Sequence, residues 1–189
     1  MMNMNDSTLS FLECSRCEAV QDASTVQNLC RECRSGPLMA RYNLEEAKRT
    51  FSLDALSNRP LNIWRYKELL PVQRDENMIS MGEGWTPLIK LQNVSKELGL
   101  NNLYLKDEGL CPTGSFKARG AAVCVSKLLE WGVKSIGIPT AGNAGGALAC
   151  YGARAGIEVH IAMPEDAPQS TWKQAVAAGA KVYLIEGEF

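Results

Sequence analysis

The sequence predicts an α/β protein: a parallel sheet with helices on both faces, preceded by a small four-cysteine unit. Two observations predict it. From residue 86 onward, short apolar runs of strand length alternate with longer helical stretches, and most of those stretches stop at a glycine. Alternation at this spacing calls for right-handed crossovers between parallel strands. Upstream, two Cys-x-x-Cys pairs stand close together, a pattern that serves a metal better than a core.

Taken in order, residues 1–10 read as a flexible tail. Residues 11–42 form the cysteine unit. Cys14 and Cys17 are followed, after the twelve residues Glu18 to Leu29, by Cys30 and Cys33. Two such knuckles present four thiolates to one tetrahedral ion, so the expected ligand is Zn2+ in a structural role, with no coordination position left open for chemistry. A thioredoxin-like redox role fits less well, because neither pair falls in a strand-to-helix turn. So small a unit depends on its metal to fold. Residues 43–85 are expected to hold linker helices and a loop. "NLEEAKRTF" is a short helix with Asn43 as N-cap and Glu46 in capping-box position. "NIWRYKELLPV" is a second, closed by Pro71, and "MGEGWTPL" is a glycine-rich loop.

In residues 86–189, "LIKL" reads as a strand, "NVSKELGL" as a helix ending near Gly99, and "NNLYLKDE" as a strand. "SFKARGAAVCVSKLLEWG" is a helix ending at Gly132, "SIGIPT" a strand and "NAGGALACYGARAG" a helix. "EVHIAM", "PQSTWKQAVAAG" and "KVYLIEG" complete the alternation as strand, helix and strand.

Composition narrows the function. With 46% apolar and 22% charged residues, the 189-residue chain has the material for one core and a small appendage. A net charge of −1 and a pI near 5.9 supply no cationic field for nucleic acid or anionic lipid. No run of eighteen apolar residues and no leader-like N-terminus is present, so a soluble cytoplasmic protein without membrane partners is expected. Seven cysteines in such a chain are thiols or ligands rather than disulfides, and Cys124 and Cys150 are expected to pack as small hydrophobes. The single histidine, His160, lies in a strand pattern, which argues against histidine-based acid–base catalysis.

Lys117 is the residue out of place. It falls in the first turn of a helix, where unpaired N–H groups and the positive dipole end disfavour an ammonium group. An amine there gains nucleophilic character. The second unusual loop, "TAGNAGG" from Thr140 to Gly146, runs from a strand straight into a helix, and its small residues free backbone N–H groups for a carboxylate or phosphate. It fits neither the GxGxxG fingerprint nor the P-loop. A nucleophilic lysine beside a small-anion cradle in an α/β fold suggests a Schiff base to an aldehyde, for which pyridoxal phosphate is the common cofactor.

"GEGWTPL", "PTGSFKARG" and "TAGNAGG", in that order, resemble the fold type II pyridoxal-phosphate enzymes. Together with the cysteine unit they look most like the threonine synthase group. The resemblance implies that Lys117 carries pyridoxal 5'-phosphate, with Asn143 at the ring hydroxyl oxygen and Ser115 and Phe116 shaping the wall behind the lysine. Thr140, Ala141, Gly142 and Ala144 would cradle the substrate carboxylate. The implied reaction converts O-phospho-L-homoserine, a small amino-acid phosphate, and water into L-threonine and phosphate. β-Replacement on O-phosphoserine, as in cysteate synthase, and serine or threonine deamination are the alternatives within the group. A zinc-ribbon interaction module is the alternative outside it. The resemblance further implies that the chain is the N-terminal part of such an enzyme, with the cofactor-phosphate loop beyond Phe189, little turnover from the isolated chain, and a homo-oligomer in the full-length form.

Overall fold

A computed structural model describes residues 7–187. The strands β1 (Leu9–Cys14), β2 (Val20–Gln21) and β3 (Leu38–Tyr42) form an antiparallel sheet in the order β2-β1-β3. Residues 7–10 are therefore no loose tail, and residues 1–6 of that expected tail lie outside the described residues. Ser7 and Thr8 are buried, Leu9 opens β1, and the Thr8 N–H and hydroxyl both donate to the Glu68 carbonyl, at 3.0 and 2.8 Å. Those hydrogen bonds stitch the cysteine unit to the segment that follows it, a long-range pairing that local propensity does not reveal.

Helix α1 (Leu44–Thr50) starts where expected, with Asn43 Oδ1 accepting from the Glu46 N–H at 3.1 Å. The reciprocal half of the capping box is absent. The Asn43 N–H donates to the Thr8 carbonyl instead, and Glu46 pairs with Arg49. After α2 (Leu53–Ser57), the expected "NIWRYKELL" helix is a 3-10 segment, Ile63–Leu69, broken at Tyr66. Two of its contacts point away from the local helix: the Ile63 N–H donates to the Glu83 carbonyl at 2.8 Å, and Trp64 Nε1 to the Ile79 carbonyl at 2.9 Å.

The remaining strands and helices follow the expected alternation, but they do not make one parallel sheet. Strands β4 (Leu88–Lys90) and β5 (Tyr104–Lys106), joined through α3 (Gln92–Glu97), pair antiparallel as a separate two-stranded sheet. Hydrogen bonds from the Leu91 N–H to the Leu103 carbonyl and from the Asp107 N–H to the Pro87 carbonyl continue the ladder past both ends. Strand–helix alternation counts the elements; it does not set the sense in which neighbours pair. After α4 (Lys117–Glu130), the parallel sheet is three-stranded, β6-β7-β8, from β6 (Ser135–Pro139), β7 (Glu158–Pro164) and β8 (Lys181–Ile185). Helices α5 (Asn143–Ala155) and α6 (Gln169–Ala177) connect adjacent strands in sequence order, so right-handed crossovers place both on one face. Among the described residues the expected second helical layer is absent, and the alternate residues His160, Ala162 and Tyr183 stay partly or fully exposed.

The core lies between α4, α5, α6 and that covered face: Ala122 and Val125 from α4, Ala147 and Tyr151 from α5, Ile161 and Met163 from β7, Ala175 from α6. Burying side chains such as Ile161 and Met163 contributes about 1.5–3 kcal/mol each. Helix α4 ends in a Schellman turn, with Gly132 at φ +74 and the Val133 N–H reaching back to the Leu128 carbonyl. No helix among the described residues is long and apolar enough to cross a membrane.

Helix α5 lies unusually close to the sheet. A Cβ on Gly152 would stand 2.3 Å from Val159 Cγ2 and 3.2 Å from the Ile157 carbonyl oxygen. Alanine would gain roughly 1 kcal/mol of helix propensity there, but Val159 is pinned in β7, and overpacking costs about 1–3 kcal/mol. Gly152→Ala is accordingly expected to lower the urea midpoint of unfolding. An unchanged or raised midpoint would show that the helix–sheet contact is looser than described.

Candidate active site

Lys117 is the first residue of α4. The preceding segment sets its position. Cys111 to Gly114 form a turn closed by the Gly114 N–H to the Cys111 carbonyl at 3.0 Å, and Ser115 and Phe116 accept from the N–H groups of Ala118 and Arg119. The lysine is exposed, with Nζ 4.5 Å from the centroid of the Phe116 ring, and it pairs with no carboxylate among the described residues. Ser115 is buried, and its hydroxyl has no hydrogen-bond partner.

The "TAGNAGG" loop joins β6 to α5. The Thr140 N–H continues the sheet to the Ala162 carbonyl at 3.0 Å, and Thr140 Oγ1 accepts from the Gly142 N–H at 3.2 Å. Gly142 is the N-cap and offers no side chain to the first turn of α5, so the Asn143 and Ala144 N–H groups that start this thirteen-residue helix stay available, while the Gly145 N–H donates to the Gly142 carbonyl. Asn143 and Ala141 are exposed; Gly142 and Ala144 are half-buried. A Cβ on Gly145 would stand 2.9 Å from both Met163 Cε and Thr140 Cγ2, so the glycine lets the loop close against β6 and β7.

The two loops meet in one cleft. A cavity of about 210 Å3 is lined by Lys117, Gly120, Ala121 and Cys124 from α4, Ile138 from β6, and Ala144 and Leu148 from α5. Lys117 and Ala144 are thereby brought together. Cys124, expected in a core, is exposed at this cleft because it shares the α4 face of Lys117. An exposed amine, a buried unpaired hydroxyl two residues before it and unblocked N–H groups opposite are groups that fit an aldehyde-bearing phosphate cofactor. His160 stays outside, stacked on Tyr183 with ring centroids 5.9 Å apart.

A polar cluster that sequence reasoning missed braces the lysine. Glu108 accepts from Arg119 Nε and a terminal guanidinium nitrogen, at 2.6 and 2.8 Å, and from the Thr86 hydroxyl. It joins the "TPL" loop, the exit from β5 and the first turn of α4. Arg119, with Thr86 helping, holds the Glu108 carboxyl at about 2, well below its ordinary 4.5. The argument that singles out Lys117, a cation in a first helical turn, applies equally to Arg119 and would have found it. Glu83, between two glycines of "GEGWTPL", is fully buried, and it accepts from the Tyr151 hydroxyl and from the Met81 N–H. Burial and Glu83 push the Tyr151 phenol up.

The four cysteines of the N-terminal unit form a second centre. All four Sγ atoms lie within 4.8 Å of one another, with Cys14 to Cys33 at 3.7 Å and Cys17 to Cys30 at 3.6 Å. A tetrahedron with 2.3 Å zinc–sulfur bonds has edges of about 3.8 Å. Backbone N–H groups of Arg16 and Cys17 donate to Cys14 Sγ, and that of Gly36 to Cys33 Sγ. The N–H groups of Ser35 and Gly36 lower the Cys33 thiol to about 6. A Cβ on Gly36 would stand 2.3 Å from Cys14 Sγ, so the site needs glycine there.

Residues 79–189, which contain both loops and the polar cluster, match the family described as pyridoxal-phosphate dependent enzyme, and the chain belongs to that family. Within it, the sequence is threonine synthase-like. It is 40% identical over 177 residues to a threonine synthase of Methanocaldococcus jannaschii, covering 93% of this chain and 43% of that protein. Against a threonine synthase of Methanosarcina acetivorans it is 37% identical, covering 94% and 43%. The chain thus spans less than half the length of these curated relatives. A pyridoxal 5'-phosphate-dependent aspartate racemase structure matches with a TM-score of 0.52 and 33% identity, over 53% of this chain and 32% of that one. The apo diaminopropionate ammonia lyase of Escherichia coli, at TM-score 0.54 and 22% identity over 60% and 36%, shares the fold.

The Glu108 cluster gives a pH prediction. A carboxyl depressed by its native partners adds stability that is fully present above its unfolded value of 4.5 and is lost as pH falls through about 2. The urea midpoint of the chain should exceed that of Glu108→Gln by a constant margin above pH 4.5, and the margin should shrink as pH drops toward 2. A margin independent of pH would show that the Arg119 pairing does not set the stability.

Proposed function

We propose that the cleft at Lys117 is the cofactor and substrate site of a threonine synthase-like lyase that converts O-phospho-L-homoserine and water into L-threonine and phosphate. The observation that carries this is the juxtaposition of Lys117, at the start of α4, with Ala144, at the start of α5, across one cleft. The likeness to threonine synthases over nearly the whole chain supports the substrate.

In this reading Lys117 would hold pyridoxal 5'-phosphate, with Ser115 offering its unpaired hydroxyl and Asn143 its amide to the bound cofactor. Thr140, Ala141, Gly142 and Ala144 surround the substrate carboxylate, which the open N–H groups of α5 attract. When bound, the cofactor supplies an electron sink for carbanion character next to the amino group. Once freed by the incoming substrate amine, the Lys117 amine would move the proton between Cα and the neighbouring carbon. Ile138, Ala121 and Leu148 make the wall apolar and limit stray proton exchange. The four cysteines Cys14, Cys17, Cys30 and Cys33 hold one structural Zn2+, which closes the N-terminal unit and takes no part in the chemistry.

Borohydride treatment of the protein isolated from its own cells, followed by peptide mass analysis, tests the first assignment. One cofactor adduct is expected, on the peptide containing Lys117 and absent in Lys117→Ala; an adduct on a different lysine refutes it. A longer form of the protein in the same cells should release phosphate from O-phospho-L-homoserine and not from O-phospho-L-serine, with little release by the 189-residue chain alone, and the reverse preference would move the chain to the β-replacement chemistry.

For the metal, elemental analysis should find one zinc per chain, lost in Cys14→Ser and reduced in Gly36→Ala, whose methyl group would press on a ligand sulfur. Full zinc content in Cys14→Ser would remove the four-sulfur assignment.

A further inference from the structure

Gln174, in α6, belongs to none of the three motifs, yet its side chain touches two of them. Its Nε2 donates to the carbonyl of Thr113, in the loop that leads to Lys117, at 3.2 Å. Its amide also occupies the space above Gly146, the last residue of "TAGNAGG": a Cβ there would stand 2.4 Å from Gln174 Oε1 and 2.9 Å from its Cδ. Gly146 is buried at the fourth position of α5 with no left-handed backbone, so no turn explains a glycine at that position. It leaves room for the amide to cross α5 and reach the lysine loop.

The residue it reaches is strained. Thr113 adopts φ +69 and ψ +9 at the third position of the Cys111–Gly114 turn, a left-handed conformation that a β-branched residue rarely takes. Such a conformation persists only where its surroundings over-determine it. The hydrogen bond from α6 is a constraint from outside the loop.

We propose that Gln174 is a positioning residue for Lys117: by crossing α5 at Gly146 and holding the Thr113 carbonyl, it fixes the lysine loop relative to the helix that carries Asn143. The consequence for chemistry rests on the reading of Lys117 given above, whereas the brace itself does not.

The test uses Gln174→Leu, which keeps bulk and removes the donor, Gln174→Glu, which keeps shape and sets a carboxylate against the carbonyl, and Gly146→Ala, which displaces the amide. Each is read by backbone hydrogen exchange of the full chain with saturating pyridoxal phosphate, and by borohydride capture at Lys117. Each variant should speed exchange in the Cys111–Phe116 peptide about three- to tenfold, the effect of one lost hydrogen bond, and leave the β1–β3 unit unchanged. The Gln174→Leu, Gly146→Ala pair should be no faster than either single change. Capture at Lys117 should fall in step, and Thr113→Gly, which relaxes the turn, should restore it in Gln174→Leu. Unchanged exchange at Cys111–Phe116 overturns the proposal. So does equal acceleration throughout the chain in all three variants, which would make Gln174 a packing residue only. Selective acceleration with no capture at Lys117 in the unsubstituted chain would keep the brace and sink the lysine assignment.

Discussion

Helix α5 approaches the sheet more closely than any side chain larger than hydrogen permits at Gly145 and Gly152, and the geometry around Lys117 depends on that approach. Three glycines in a helix interior cost about 0.5–1 kcal/mol each relative to alanine. Each faces a group that a Cβ would have to push aside: Met163 and Thr140 at Gly145, the Gln174 amide at Gly146, Val159 at Gly152. With α5 seated on β7, α4 packs on its flank through Ala122 and Val125, and the first turn of α4 comes to lie beside the first turn of α5. Packing with little conformational freedom thus aligns two helix N-termini, one bearing an amine and the other leaving its N–H groups open.

The polar contacts then lock what packing has aligned. Glu108 ties Arg119 to Thr86, and Glu83 ties the neighbouring part of the same loop to Tyr151 on α5. "GEGWTPL" is therefore held at two points, one on each helix. The loop between those points includes Trp85 at φ +49, with the Arg65 guanidinium 4.6 Å from the centroid of its ring. Contacts of this kind, an ion pair at Glu108 and a phenol hydrogen bond at Glu83, cost stability when one partner is removed, although apolar replacement of both partners is often near neutral. They do define a register, since Glu83 and Glu108 have no comparable donors one residue to either side.

What was legible in the sequence was local. Glycines mark where α4 and α5 end, alternation from residue 86 gives the elements in order, and a lysine in a first helical turn marks one wall of the candidate cleft. The antiparallel sense of β4 and β5, the union of Thr8 with Glu68 and the single face on which α5 and α6 lie were not legible. Each is decided by partners distant in sequence, and a periodicity of two or 3.6 carries no information about which strand lies alongside. The capping box at Asn43 shows the boundary: the half that depends on Asn43 and Glu46 alone formed, whereas the other half yielded to Thr8, brought in by tertiary structure.

The pairing of Arg119 also bears on Lys117. Two cations in the first turn of one helix are both disfavoured by the positive end of the helix dipole. Glu108 takes Arg119 in a two-pronged contact, and no carboxylate among the described residues does the same for Lys117, whose neighbours in the cleft are Ala121, Ile138, Ala144 and Leu148. One cation is thus neutralised and used as a strut, and the other is left beside an apolar wall with its amine uncommitted. A carboxylate within reach of Lys117 would compete for that amine and hold it as a structural ammonium. Among the described residues the cleft lacks one, and this difference separates an arginine that supports the fold from a lysine whose amine is left free for the role proposed above.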